Sequence, residues 1–228
     1  TLRAAGFAIV GALVFGLLFG TGRLSHLRAV RVVSGIVVEF FRAVPVLLMM
    51  IFFWLLLGLS HVDDAPFLAV VLALVLYNGS VIAELVRSGV GNLPRGQGEA
   101  GLAIGLTTGQ TLRSIQLPQA LIAMLPALVS QLVVVLKDSA LGQIITYNEL
   151  LRAAQLYGVG NGNILQSLVL AAVIFIVINW LLTLVARWLS RFLSGRTAGA
   201  TAAGPGIGNP TVVAGGPAED APAVSVTR

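Results

Sequence analysis

Gly98-Glu99-Ala100-Gly101-Leu102-Ala103-Ile104-Gly105 is a polar, glycine-studded stretch set between strongly apolar runs. It leads through Thr107 and Gln110 to Leu117-Pro118-Gln119. It reads as two short helices joined by a turn. Gly105 can take the left-handed conformation that ends a helix. Thr107 and Gln110 have the spacing of a capping box that starts the next one. Pro118 predicts a break before the following apolar run. Ala100, Gly101 and Gly105 are small enough for a partner's backbone to approach closely, and Glu99 can cap a helix or pair with a cation in the partner's groove; the plainer alternative is a glycine-rich interfacial loop that merely connects two spans. A helix-turn-helix of this kind on a membrane surface is a docking element.

The rest of the chain is built for lipid. Of 228 residues, 57% are hydrophobic and 10% charged, against roughly 25% charged in a soluble domain. So few charges cannot cover a globular surface. The net charge is +5, but the arginines flank apolar runs, which argues for membrane orientation and against nucleic acid as a partner. Lys137 is the sole lysine. The absence of cysteine excludes disulfides and thiolate-bound metals. No cleavable signal peptide is evident, because the first apolar run lacks a small-residue cleavage site and is long enough to span.

A span needs about 20 mostly apolar residues. Five runs qualify, at about 4–20, 33–59, 66–86, 119–136 and 164–189, and none alternates as a strand would. The fold class is therefore an all-α integral membrane protein, with its transmembrane domain over 1–194 and the docking loop over 89–118. Arg23, Arg28 and Arg31, then Arg87, Arg95 and Arg113, then Arg187, Arg191 and Arg196 share one face, which the positive-inside rule makes cytoplasmic. Asp63, Asp64, Asp138, Glu149 and Arg152 fall on the other. The N-terminus is expected outside and the C-terminus inside a multi-pass cell-membrane protein. Residues 195–228, rich in Gly, Ala, Pro and Thr, read as a disordered cytoplasmic tail.

Charges in or beside spans are costly and need a reason. Glu39 and Arg42 share a helix face, as an ion pair that fixes helix depth, as part of a substrate path, or in contact with the head groups. Glu84 and Arg87 repeat the spacing as a structural pair. Lys137, Asp138 and Ser139 end an uncharged run and offer both signs and a hydroxyl. That suits a zwitterionic substrate, though snorkelling charges would look the same. Gly16 and Gly20 form a GxxxG motif that packs the first span either on another subunit or within its own. Trp54, Trp180 and Trp188 read as span or interface residues. His26 and His61 follow no metal or catalytic spacing.

Three segments carry a family resemblance. Glu39-Phe40-Phe41-Arg42-Ala43-Val44-Pro45 is similar to the E-x-F-R-G-x-P segment of the permease subunits of ABC importers for polar amino acids. Glu99 to Pro118 resembles their EAA loop. Lys137-Asp138-Ser139-Ala140-Leu141 with Glu149-Leu150-Leu151-Arg152-Ala153-Ala154 resembles their K-[ND]-[ST]-x-L … E-L-x-x-A region. Gly101 and Ala43 depart from the usual alanine and glycine, both small for small.

The resemblance implies a five-span, type I (MetI-like) permease with a cytoplasmic coupling helix formed by Glu99, Ala100, Gly101 and Gly105, with Leu117 and Pro118 closing the motif. It implies a dimeric ATPase partner, a second permease subunit (identical or paralogous) and an external amino-acid-binding protein. This chain holds no G-x-x-x-x-G-K-[ST] loop, so ATP and Mg fall to the ATPase. Arg42 and Lys137 favour an acidic substrate such as glutamate. The competing classes are an intramembrane enzyme, for which the spans lack paired aspartates or a histidine dyad, and a passive channel or scaffold.

Overall fold

The computed structural model describes residues 1–201, and these hold helices and turns but no strand. In chain order the α-helices are α1 (Leu2–Arg23), α2 (Arg28–Ala43), α3 (Val46–Leu59), α4 (Ala65–Gly91), α5 (Arg95–Ala103), α6 (Thr108–Thr111), α7 (Leu117–Ala123), α8 (Leu125–Asp138), α9 (Leu150–Gly160) and α10 (Ile164–Thr201). A π-helical segment at Leu112–Gln116 joins α6 to α7, and a 3₁₀ segment at Ser139–Ile145 follows α8.

Helix α4 is the centre of the bundle, touched by α1, α2, α3, α7 and α8. Its partner α1 presents a stripe of small residues, Ala4, Ala8, Ala12, Gly16 and Gly20, all buried. Phe7, Val10, Val14 and Leu18 face outward, each more than 60% exposed. Small residues every fourth position let two backbones approach closely, and this packing replaces the hydrophobic drive that lipid cannot supply. A Cβ added at Gly16 would strike Ile82 of α4, and one at Gly20 would lie 2.8 Å from Val86 Cβ. The GxxxG motif thus packs within the subunit.

Four stretches are long and apolar enough to cross a membrane: Leu2–Arg23, Ala65–Gly91, Leu125–Ile145 and Ile164–Val185. Helices α2 and α3 pass the same test of length and composition only as a pair, and the two are bent by 97°. The unbroken span expected at 33–59 is therefore corrected. Pro45 carries no N–H and pushes Val44 out of the helical region, to φ −83° and ψ 126°. The span expected at 119–136 also shifts. Pro118 does not break the chain: it lies in the first turn of α7, where its missing N–H leaves no bond unmade. Pro126 does the same for α8, and the apolar stretch runs on through the 3₁₀ segment. Helix α10 continues to Thr201, beyond residue 195 where composition predicts the tail to begin. The remainder of that predicted tail, 202–228, lies outside the described residues.

One polar clasp crosses the bundle interior. Gln131 of α8 donates from Nε2 to Asn78 Oδ1 on α4 at 2.6 Å, and Asn78 Nδ2 donates to the Leu74 carbonyl at 3.2 Å. Asn78 is fully buried, so each of these bonds satisfies a group that water cannot reach. At the end of α1 that bears Arg3, its guanidinium pairs with Asp64 at 3.0 Å and lies 3.9 Å over the Phe67 ring. There Glu149 caps α9 by accepting the Arg152 N–H at 2.6 Å, and burial pushes the Tyr147 phenol up from its ordinary value.

The seam between α1 and α4 sets a test on one helix. Gly16→Ala should lower the thermal unfolding temperature of the detergent-solubilised protein, since overpacking costs about 1–3 kcal/mol. Gly6→Ala, where an added Cβ meets nothing within 4 Å, should leave it unchanged or raise it. Equal effects would contradict the seam.

Candidate functional site

The stretch quoted at the outset folds as a hairpin of α5 and α6. Gly105 has φ +86°, in the left-handed region, and its N–H bonds back to the Leu102 carbonyl at 3.0 Å. An added Cβ there would meet nothing within 4 Å, so the glycine is required by the backbone and not by crowding. Thr107 starts α6 with both halves of a capping box: Gln110 N–H donates to Thr107 Oγ1 at 3.3 Å, and Thr107 N–H donates to Gln110 Oε1 at 2.8 Å.

Gly101 has a different part from the one its size suggests. It is buried, and it faces Thr111 of α6. A Cβ at Gly101 would lie 2.6 Å from Thr111 Cγ2 and 3.1 Å from Ile115 Cδ1. Its missing side chain lets the hairpin close on itself. Helical period explains this: Gln97, Gly98 and Gly101 share the inner face, while Glu99, Ala100, Leu102 and Ala103 are exposed. The outward surface carries two large apolar side chains to which the sequence pattern assigns no role. Leu102 is 53% exposed and Ile104, just past the end of α5, 75%. The signal was their polar setting: two large apolar residues in a segment too polar to need them for a core.

The hairpin is tied to the bundle at its base. Gln119 Nε2 on α7 donates to Gln97 Oε1 on α5 at 3.0 Å. Leu117 packs on the cluster of Ala12, Ile82, Val86 and Met124. Leu117 is therefore an anchor rather than part of the outer face, whereas Pro118 is exposed.

The charges read as two separate pairs form one network. Arg23, at the end of α1, reaches Glu39 of α2 at 2.9 Å and Glu84 of α4 at 2.9 Å. Arg42 lies 3.6 Å from Glu39 and 3.8 Å from Glu84, and Arg87 holds Glu84 at 2.6 Å. Three arginines against two carboxylates leave an excess of one positive charge. Sequence spacing found the i,i+3 pairs within α2 and α4. It had no means to find Arg23, which joins them from another helix.

Lys137, Asp138 and Ser139 part company. Ser139 is fully buried and donates to the Leu136 carbonyl at 2.7 Å, so its hydroxyl is spent within the fold. Lys137 is exposed and lines a cleft between α8 and α10 with Ser130, Val134, Thr183 and Arg187. Asp138 is half-buried at the end of α8 and does not line that cleft. Glu39 and Arg42 are not near it either, since they belong to the network at the end of α1. No cluster of three or more metal-ligating side chains occurs among the described residues.

A multi-pass helical bundle with apolar spans and a tethered polar hairpin is an integral membrane architecture. Residues 12–197 match the binding-protein-dependent transport system inner membrane component family, and the chain belongs to it. Similar curated proteins include the glutamate transport system permease protein GluD of Corynebacterium glutamicum, 46% identical over 196 residues, covering 85% of this chain and 72% of the relative. The glutamine transport system permease protein GlnP of Escherichia coli K12 is 34% identical over 193 residues, covering 84% and 88%. Among solved structures, an amino acid ABC transporter crystallised with histidines superposes with TM-score 0.74 at 26% identity, over 86% of this chain and 89% of that one. The MetNI methionine ABC transporter in an inward-facing form superposes with TM-score 0.68 at 20% identity, over 84% and 89%, a likeness of fold. The chain is thus a permease subunit of the MetI-like fold.

The inward-facing Gly101 predicts its own test. Gly101→Val must displace Thr111 and Ile115, and should cost about 1–3 kcal/mol, read as a lowered unfolding temperature. Gly101→Val combined with Thr111→Gly should recover part of that loss. No recovery would mean that Thr111 is not what the side chain meets.

Proposed function

We propose that this subunit forms, with a second permease subunit identical or paralogous to it, the path by which glutamate or a closely related polar amino acid enters the cell. An external binding protein delivers the substrate. A dimeric ATPase, which binds the ATP and Mg, drives the cycle by docking on the α5–α6 hairpin. The N-terminus faces outside and the C-terminus the cytoplasm, which puts the hairpin where ATP is.

The observation that carries this reading is the hairpin: Leu102 and Ile104 exposed at its tip, Glu99 and Ala100 beside them, and a base tethered to α7. Apolar side chains on an otherwise polar, capped hairpin suit a groove in a soluble partner. Gly101 and Gly105 support that surface by shape, from inside the hairpin and at its turn. Leu117 and Pro118 link it to the spans.

For the substrate, support comes from the name of the relative at 46% identity and from the cleft between α8 and α10. Lys137 and Arg187 line that cleft with the hydroxyl-bearing Ser130 and Thr183. The Lys137 cation and the hydroxyls suit a carboxylate-bearing ligand. Asp138, which does not line the cleft, acts in this reading beside Lys137 at the edge of the path. Glu39 and Arg42 act in this reading at the far mouth of the path, where Arg23 and Glu84 already engage them. Ser139 contributes to the fold of the path and not to binding.

The test uses the assembled transporter in vesicles. Gly105→Val puts a β-branched residue at φ +86°, where backbone strain costs about 1–3 kcal/mol. Membrane insertion should be retained. ATP hydrolysis should lose its stimulation by binding protein and substrate, and uptake should fall at least tenfold. Normal stimulated uptake would overturn the docking role. Competition of glutamate uptake by a panel of amino acids tests the substrate separately, and acidic ones should compete best.

A further inference from the structure

The bent helix α2 has three distinct faces. Ser34 and Val38 are buried against the bundle, with Ser34 beside Gly22 of α1. Arg28, Arg31, Glu39 and Arg42 lie together on a second, polar face, as a period of 3.6 residues requires. Ala29, Val33, Ile36 and Phe40 make a third, apolar stripe. It points away from the bundle: Val33 is 58%, Ile36 65% and Phe40 59% exposed.

This arrangement does not suit a helix that crosses the bilayer. A crossing helix carries charge along its length only where protein or water surrounds it. Here Arg28 and Arg31 are exposed. No described side chain pairs with Arg28, and Arg31 Nη1 reaches only the Ser25 carbonyl, at 3.2 Å. The 97° bend at Val44–Pro45 turns α2 across the line of the apolar α3. Val30 and Ser34 of α2 border the same groove as Thr107 and Arg113, so α2 sits at the hairpin's end of the molecule. An apolar stripe on one side, arginines on another and protein on the third is the pattern of an amphipathic helix lying in the interface.

We infer that α2 lies in the membrane plane at head-group depth and docks on anionic phospholipid, with its stripe of Ala29, Val33, Ile36 and Phe40 among the acyl chains and Arg28 and Arg31 on the lipid phosphates. Charge complementarity selects this occupant: the helix and its neighbour Arg23 carry more arginine than carboxylate, and anionic head groups attract juxtamembrane cations. The network of Arg23, Glu39, Arg42 and Glu84 holds the inner edge of α2 on α1 and α4, so lipid contact and bundle packing act on one rigid element. The inference rests on the membrane fold and not on hairpin docking, so it can fail while the proposed coupling stands.

The chain lacks cysteine, which makes single-cysteine labelling direct. Fluorescent labels at Ala29, Val33, Ile36 and Phe40, and as a depth ruler at Leu48, Phe52 and Leu55 of α3, are read with lipid-borne nitroxide quenchers. The assembled transporter is placed in vesicles of phosphatidylcholine with or without phosphatidylglycerol. The α2 labels should report one shallow depth, and the α3 labels increasing depth. A steady descent of about 16 Å from position 29 to position 40, at 1.5 Å per residue, would overturn the inference. So would labels that lipid quenchers do not reach and that cross-link to a second copy, because the stripe would then be a subunit interface. Phosphatidylglycerol should increase quenching at Ile36. Arg28→Gln with Arg31→Gln should abolish the increase, and Arg28→Lys with Arg31→Lys should keep it. An increase that survives the glutamine pair would remove the anionic head group from the account.

Discussion

Lipid offers helices no hydrophobic reason to associate, so close backbone packing must hold α1 on α4. The small residues Ala4, Ala8, Ala12, Gly16 and Gly20 permit that approach, with Ile82 and Val86 filling the space their side chains would take. Much of the hairpin's end of the bundle follows from it. Fixing α1 along α4 carries Arg23 to Glu84, and Arg23 in turn holds Glu39 on α2. A charge that fits poorly anywhere in a bilayer becomes the joint of three helices.

The ionic network matters for geometry more than for stability. Exposed pairs are worth about 0–1 kcal/mol each, and Glu39, Arg42 and Arg87 are all substantially exposed. Arg23 and Glu84 are the exceptions, with 14% and 23% of their side chains exposed, and Arg23 has two carboxylates at 2.9 Å. Removing Arg23 would leave Glu84 and Glu39 facing one another's charge with less compensation. Deeper in the bundle, the bond between Asn78 and Gln131 ties α8 to α4. Each of α1, α2 and α8 therefore meets α4 through at least one specific contact.

Much of this was legible from residue order, because lipid imposes a strong rule on length and polarity. The spans at α1, α4 and α10 follow from apolar runs and flanking arginines. The hairpin follows from Gly105, Thr107 and Gln110, whose local chemistry decides their conformation without help from the fold. What escaped depends on direction or on distant partners. Pro45 was visible, yet the apolar run on either side of it masked a 97° bend. Gly101 could face a partner or its own hairpin, and only the position of Thr111 decides. Glu39 with Arg42, and Glu84 with Arg87, were visible as pairs, but the contact that joins them comes from a residue far along the chain. Ser139 looked available because it follows two charges, whereas the backbone turns it inward onto Leu136.

The hairpin is suited to carry force in the proposed cycle because little in it is loose. Gly101 against Thr111 locks its two helices together, Gln97 to Gln119 ties it to α7, and Leu117 sits in the cluster with Ile82 and Val86. A push on Leu102 and Ile104 therefore reaches α7 and α4 through packed contacts, the condition for a rigid-body change. The most direct measurement is the sidedness of that tip. Ile104→Cys, in sealed right-side-out vesicles, should resist a membrane-impermeant maleimide until the vesicles are opened, while Val62→Cys, in the turn between α3 and α4, reacts at once. Immediate labelling at position 104 from the exterior would put the hairpin on the wrong side of the membrane and contradict the account.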